Sequence, residues 1–228
     1  MPAVRDLEFA PRTFLASLNS EEREALQRLG IRRSFQRGAA VMFQDEPDER
    51  VIILSTGRVK VTHVDHAGHE MLLSIRDPGD VLGELAFIDS QPRIATVTTL
   101  EPVEALVMAA ETFRRHLEST PRVAVVLLEV VVRRFRETTL KRAQFSASDT
   151  MGRLAARIVE LAERYGDSSD AGVTITSPLS REDLAAWTGA SRAGVEHALQ
   201  SLRELGWVET ERREFLVRDL EALRARAA

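Results

Sequence analysis

The sequence predicts an α+β chain: an N-terminal antiparallel β-roll, a long helix, and a C-terminal winged helix-turn-helix. Three observations carry this reading. Between Ile31 and Leu106, short β-rich runs alternate with turns, and Gly57, Gly68 and Gly79 recur every eleven residues, a spacing suited to a roll whose turns need a permissive backbone. From Pro121 to Ala143 apolar residues recur three or four apart, the period of a helix of about 35 Å. Residues 180–205 break at Thr188-Gly189-Ala190 between two helical patterns, the spacing of a helix-turn-helix.

Taken in order, residues 13–30 predict one amphipathic helix with a short lead-in, Asn19 and Glu22 forming a capping box and Gly30 closing the last turn. The strand runs follow. The turn near Asp45 lacks glycine, but aspartate tolerates the left-handed region better than most residues. Pro121 is a good first helical residue. The apolar content of the following helix exceeds what one face against a β-roll requires, which predicts a symmetric homodimer through the Val123–Phe135 stripe. SASDT, residues 146–150, reads as a hinge, with Asp149 or Thr150 capping a helix over Met151–Tyr165. GDSSDAG reads as a loop and VTIT as a strand. Helices start at Ser180 and, capped by Ser191, run to Leu205. WVETERREFLV then reads as a strand, a charged turn and a strand: a wing. The domains expected are 1–110, the long helix 111–145, the hinge 146–150, and 151–228.

Composition narrows the function. The net charge of -4 excludes a polycation that coats nucleic acid but permits a local DNA-reading helix. The chain has no cysteine, which excludes disulfides, thiolate zinc sites and cysteine-ligated iron–sulfur clusters. The first dozen residues hold no apolar run, and the longest apolar stretch, Val123–Val132, contains Glu129 and is too short to span a bilayer. The expectation is a soluble, cytoplasmic protein without enzymatic activity.

Two stretches carry chemistry. In GELAFIDSQPRIATVTTL, Gly83 allows close backbone approach to a ligand, N–H groups such as that of Leu85 can face an anion, Arg93 can hold a phosphate through parallel N–H donors, and Glu84 can accept from a sugar hydroxyl. That combination suits a molecule carrying a phosphate and a ribose. In the reader, eleven arginines and no lysine stand against thirteen acidic residues from Met151 onward. Binding must therefore rest on a few placed groups: Arg192 and His197, Arg203, and Arg212 and Arg213 in the wing, with Ser191, Ala193 and Glu196 beside them on the reading helix. His63, His66 and His69, beside Glu70, invite a metal site on a β-barrel enzyme, but the Asp65-His66-Ala67-Gly68 turn points His66 away from the other two.

The glycine spacing, the PGDVLGELAFIDSQPRIATVTT cassette, the RRFRETTLKR helix and the TGASRAGVEHAL reader together resemble the cyclic-AMP receptor protein / fumarate-nitrate regulator superfamily of bacterial transcription factors, over nearly the whole chain. The resemblance implies a cyclic-nucleotide-binding-like roll, a dimerisation helix, double-stranded DNA, a second copy and RNA polymerase as partners, and a cyclic nucleotide, cyclic AMP foremost, as allosteric effector without an obligatory cofactor. It implies that Glu84 holds the ribose hydroxyl, Arg93 the cyclic phosphate, and Thr138 and Thr139 the adenine, one of them from the partner chain. Ile94 stands where the family places a hydroxyl residue on the phosphate. Arg192 matches the family's first base-reading position, whereas Ala193 replaces a glutamate and His197 an arginine. The competing readings are a ligand-independent regulator with a degenerate pocket, a metal-binding β-barrel enzyme, and a cyclic-nucleotide-regulated structural or signalling module that does not touch DNA.

Overall fold

The computed structural model describes residues 9–47, 49–176, 179–211 and 214–227, and of residues 142–147 the backbone. The chain divides into two compact units, Met1–Arg136 and Glu137–Ala228.

In the first unit, a 3₁₀ turn at Leu15–Ser17 leads into α1, Ser20–Leu29, whose capping box is formed as expected: Asn19 accepts from the Glu22 N–H and Glu22 accepts from the Asn19 N–H. Gly30 closes α1 as expected, its N–H donating to the Leu26 carbonyl. Its φ of -106° is extended, and a Cβ there would lie 2.4 Å from Leu106, so the position needs a small residue rather than a left-handed one. The strands are β1 Ile31–Phe35, β2 Ala40–Met42, β3 Arg50–Thr56, β4 Val59–Val64, β5 Glu70–Arg76, β6 Val81–Leu82, β7 Thr96–Thr99 and β8 Val103–Ala109, with α2, Glu84–Asp89, between β6 and β7. They form two antiparallel sheets, ordered β1-β8-β3-β6 and β2-β7-β4-β5. Asp45 takes a φ of 64° and Gly57, Gly68 and Gly79 are all left-handed, matching the turn chemistry read from the sequence.

Strand β3 shows why the roll holds. Its side chains alternate between faces. Ile52 and Leu54 enter the core between the two sheets, with Val59, Val97 and Leu82. Val51 and Ile53 enter a second core against the helices, with Phe14, Leu26, Phe113 and four residues of the long helix. A strand buried on both faces reads as a continuous apolar run, as VIIL does.

Residues 110–147 form two helices, α3 Ala110–Ser119 and α4 Pro121–Ala147. The dimer stripe expected from the sequence requires correction here. Val123, Val126, Leu127 and Val130 are buried in the unit's own helix-facing core, and Val131 is half-buried. The apolar residues turned outward are Val125, Leu128, Val132, Phe135 and Leu140. Periodicity shows that α4 has too many apolar residues for one face, but only packing identifies which face is inside.

In the second unit, α4 continues to Ala147, so the non-helical link is Ser148–Asp149 rather than all of 146–150. Asp149 caps α5, Thr150–Tyr165, accepting from the Gly152 N–H at 2.8 Å. The stretch expected to be a loop begins with a strand, β9 Gly166–Ser169, which pairs with β10, Gly172–Thr176. Neighbouring backbone outweighs the low strand propensity of Gly-Asp-Ser-Ser there. Then come α6 Arg181–Thr188, α7 Arg192–Glu204, β11 Val208–Glu211, β12 Glu214–Val217, and α8 Leu220–Ala227, a helix the sequence reading did not anticipate. The sheet order is β11-β12-β10-β9. Among the described residues, no helix is long and apolar enough to cross a membrane.

Candidate functional sites: an anion cassette and a DNA reader

The cassette is built around Gly83. It precedes α2 with a φ of 83°, and a Cβ on it would lie 2.6 Å from Nη1 of Arg93 and 2.8 Å from the Arg50 carbonyl. Any side chain at 83 would therefore displace the guanidinium, and the left-handed conformation disfavours one independently. Arg93 is buried. Its Nη2 donates to the Arg50 carbonyl at 2.7 Å and its Nη1 to the Met42 sulfur at 3.1 Å. Its backbone is held on both sides, N–H to the Glu46 carbonyl and carbonyl from the Asp45 N–H. Gly83 and Arg93 thus meet, with Glu84 next in the chain. Leu85 is exposed on α2, and Ile94 is 57% exposed beside Arg93, its carbonyl 2.8 Å from Nδ1 of His63. Thr138 and Thr139 lie on α4 with exposed side chains.

Glu84 has a partner that sequence reasoning missed. Arg134 donates through Nη1 to Glu84 at 2.7 Å and to the Val81 carbonyl at 3.0 Å, and through Nη2 to Asp80 at 2.6 Å. All three charged groups are nearly buried. Burial would lower the Arg134 pKa, but the two carboxylates outweigh it and hold the guanidinium above its usual value, so it stays charged. The signal was present: Val123, Leu127, Val130 and Arg134 fall on one helical face at spacings of four, three and four, so Arg134 is a cation on an apolar face, a position that demands carboxylate partners. The bond uses one oxygen of Glu84, and a carboxylate offers about four lone-pair sites.

In the β4–β5 hairpin, His66 shares a cleft with His63 rather than pointing away from it as expected. His69 pairs with Asp65 at 3.1 Å, while His63 and His66 line a cleft of about 500 Å³ with Gln44, Asp45, Val64, Asp65 and Thr96. Among the described residues, no group of three or more His, Cys, Asp or Glu could hold a metal ion.

The reader follows its local sequence closely. Ser180 caps α6 in a capping box with Asp183, and Gly189 ends it in the left-handed conformation. Ser191 then caps α7, its Oγ accepting from the Gly194 N–H at 3.0 Å. Val195, Ala198, Leu199 and Leu202 are buried, which turns Arg192, Ala193, Glu196, His197 and Arg203 to the exposed face. Arg203 donates to Thr210 Oγ1 at 3.0 Å, tying the end of α7 to the first wing strand. Arg192 pairs with Glu182 at 2.9 Å, and Arg181 with Glu196 at 3.4 Å. Arg212 and Arg213 lie outside the described residues. Within the second unit, Lys141 and Arg157 both pair with Glu160, at 2.6 and 2.8 Å, and Arg157 stacks 4.6 Å over the Trp187 ring of α6. Burial would raise the Glu160 pKa, but its two cationic partners hold it below the usual carboxylate value.

Residues 32–120 match the family described as the cyclic nucleotide-binding domain, and residues 152–226 that of the Crp-like helix-turn-helix domain. A CRP-like cAMP-activated global transcriptional regulator of Mycobacterium tuberculosis is 35% identical over 193 residues, which is 85% of this chain and 86% of that one. The chain belongs to the CRP/FNR superfamily. It is a CRP-like DNA-binding transcription regulator with a cyclic nucleotide-binding domain. The Cyclic AMP receptor protein of Thermus thermophilus is 26% identical over 177 residues, 78% of this chain and 79% of that one. Among solved structures, a CooA mutant from Carboxydothermus hydrogenoformans matches with a TM-score of 0.79 at 20% identity, covering 97% of this chain and 98% of that one. The c-di-GMP responsive global regulator CLP of Xanthomonas campestris also reaches a TM-score of 0.79, at 19% identity over 88% of this chain and 100% of that one. At such identities these two likenesses concern the fold.

Proposed function

We propose that this regulator works as a homodimer whose roll takes a cyclic nucleotide, cyclic AMP foremost, and whose readers bind a specific operator in double-stranded DNA, with RNA polymerase as a further partner. The observation that carries the effector reading is the seating of the Arg93 guanidinium where a side chain at 83 would stand, with Glu84 next in the chain. The naming of the Mycobacterium tuberculosis relative as cAMP-activated supports it. Arg93 and nearby backbone N–H groups hold the phosphate, Glu84 the ribose, and Thr138 and Thr139 the base. The effector acts by binding one arrangement of the readers better than the other, because a ligand shifts an equilibrium only by its differential affinity. Dimerisation uses the outward residues Val125, Leu128, Val132, Phe135 and Leu140.

Ile94 supplies no hydroxyl to the phosphate. One missing hydrogen bond to a charged group is worth roughly 1.5–3 kcal/mol, a tenfold to hundredfold loss in affinity. Calorimetry with cyclic AMP tests the reading: Ile94→Ser should tighten binding by about that factor, and Arg93→Ala should abolish it in both backgrounds. A ligand-independent regulator is the second reading, favoured by Ile94 and by the engagement of Glu84 with Arg134. It prevails if cyclic AMP and cyclic GMP bind neither the wild type nor Ile94→Ser.

A further inference from the structure

We propose that Glu182 is a specificity-determining residue of the reader, holding Arg192 in an ion pair that a DNA phosphate must break and a guanine edge need not. The inference rests on the assignment of Arg192 to a base edge. Glu182 lies in the first turn of α6 and Arg192 in the first turn of α7. Oε1 of Glu182 is 2.9 Å from Nη1 of Arg192, with the two side chains 61% and 69% exposed. A second cross-helix pair of the same two helices, Arg181 with Glu196, runs in the opposite sense, its cation on α6 and its carboxylate on α7. Arg192 therefore meets DNA already opposed by a carboxylate, in keeping with the acidic excess from Met151 onward.

The two kinds of DNA contact place different demands on the pair. A guanidinium has five N–H donors, and the bond to Glu182 uses Nη1. Guanine O6 and N7 are uncharged acceptors that take two donors in parallel. Arg192 can satisfy them while it still touches Glu182, and the carboxylate then orients the fork. A phosphate is an anion. To take Arg192 it must approach the Glu182 carboxylate or displace it, leaving an unpaired negative charge beside the backbone. Glu182 therefore weakens backbone-only binding more than base-edge binding and raises the ratio between the two. The first turn of α6 also favours the ionised carboxylate through the helix dipole.

The test uses the full-length protein and two duplexes: the best binder that the wild type selects from a randomised library, and a scrambled duplex of the same composition. Anisotropy titrations at several salt concentrations are run on the wild type, Glu182→Gln, Arg192→Ala and the double variant. Glu182→Gln should tighten the scrambled duplex about two- to fivefold, in line with the modest worth of an exposed pair. It should steepen that duplex's salt dependence by about one ion. The selected duplex should gain less, so the specificity ratio falls. In the Arg192→Ala background the same change should leave the ratio unaltered. Equal tightening on both duplexes in both backgrounds would overturn the proposal by making Glu182 a general repulsive charge, and weakened binding to the scrambled duplex would overturn it outright. If Arg192→Ala alone weakens both duplexes equally, it is the base-edge assignment of Arg192 that fails, a result read from a different variant.

Discussion

The N-terminal unit and the reader use arginine in opposite ways. Arg134 is nearly buried, clasped by Asp80 and Glu84, and its removal would strand two carboxylates out of water. Arg192 is largely exposed and shares one carboxylate with solvent. The first arrangement makes the charge part of the fold. The second leaves it free to be exchanged for DNA at small cost, since exposed pairs contribute about 0–1 kcal/mol. A sensor whose acceptor must sit in one place benefits from the first, and a surface that must form and release contacts benefits from the second.

The comparison breaks most visibly on α4. Val130→Asp should bury an unpaired carboxylate in the helix-facing core, and circular dichroism melts should show the N-terminal unit destabilised by more than about 3 kcal/mol. Leu128→Asp, on the outward face, should convert dimer to monomer in sedimentation while the N-terminal unit stays folded, losing only the stability that association adds. A Leu128→Asp protein that remains a dimer would remove the outward stripe from the interface. Next in size is Arg134→Leu, expected to cost about 3–5 kcal/mol because the partners of a buried pair are left uncompensated. A loss below about 1 kcal/mol would show that the cluster is solvated and that the contrast with Arg192 does not hold.

The smallest effect is pH dependence. His116 of α3 is buried, its Nε2 included, and feels the charge of Glu22. Burial lowers its pKa below the usual histidine value, with Glu22 opposing the shift. The unfolded chain therefore binds the proton more readily than the folded one. Stability is full above the unfolded value near 6.5 and is lost as pH falls through it toward the lower folded value, by at most about 1.4 kcal/mol per pH unit for one proton. Melts at pH 7.5 and 5.5 should show a drop that His116→Phe reduces. An identical drop in the variant would assign the effect to carboxylates instead.

Sequence alone determined the local grammar of this protein. Asn19 with Glu22 and Ser191 each cap the helix their position announces, and of the two candidates Asp149 and Thr150 it is Asp149 that caps α5, because a cap is satisfied within three residues. The eleven-residue glycine spacing and Asp45 mark turns for the same reason: the conformation is a property of the residue itself. What lay beyond that range only the tertiary structure decided. The apolar excess of α4 was legible, but which side is buried depends on Phe14, Val51, Phe113 and their neighbours in the helix-facing core, distant in sequence. Strand β9 exists because β10 is beside it, not because Gly-Asp-Ser-Ser favours a strand. Glu84 was identifiable as an acceptor, yet its partner stands fifty residues away. Arg134 becomes that partner only when α4 brings a long cationic side chain to a place where burial makes an unpaired charge too costly to keep.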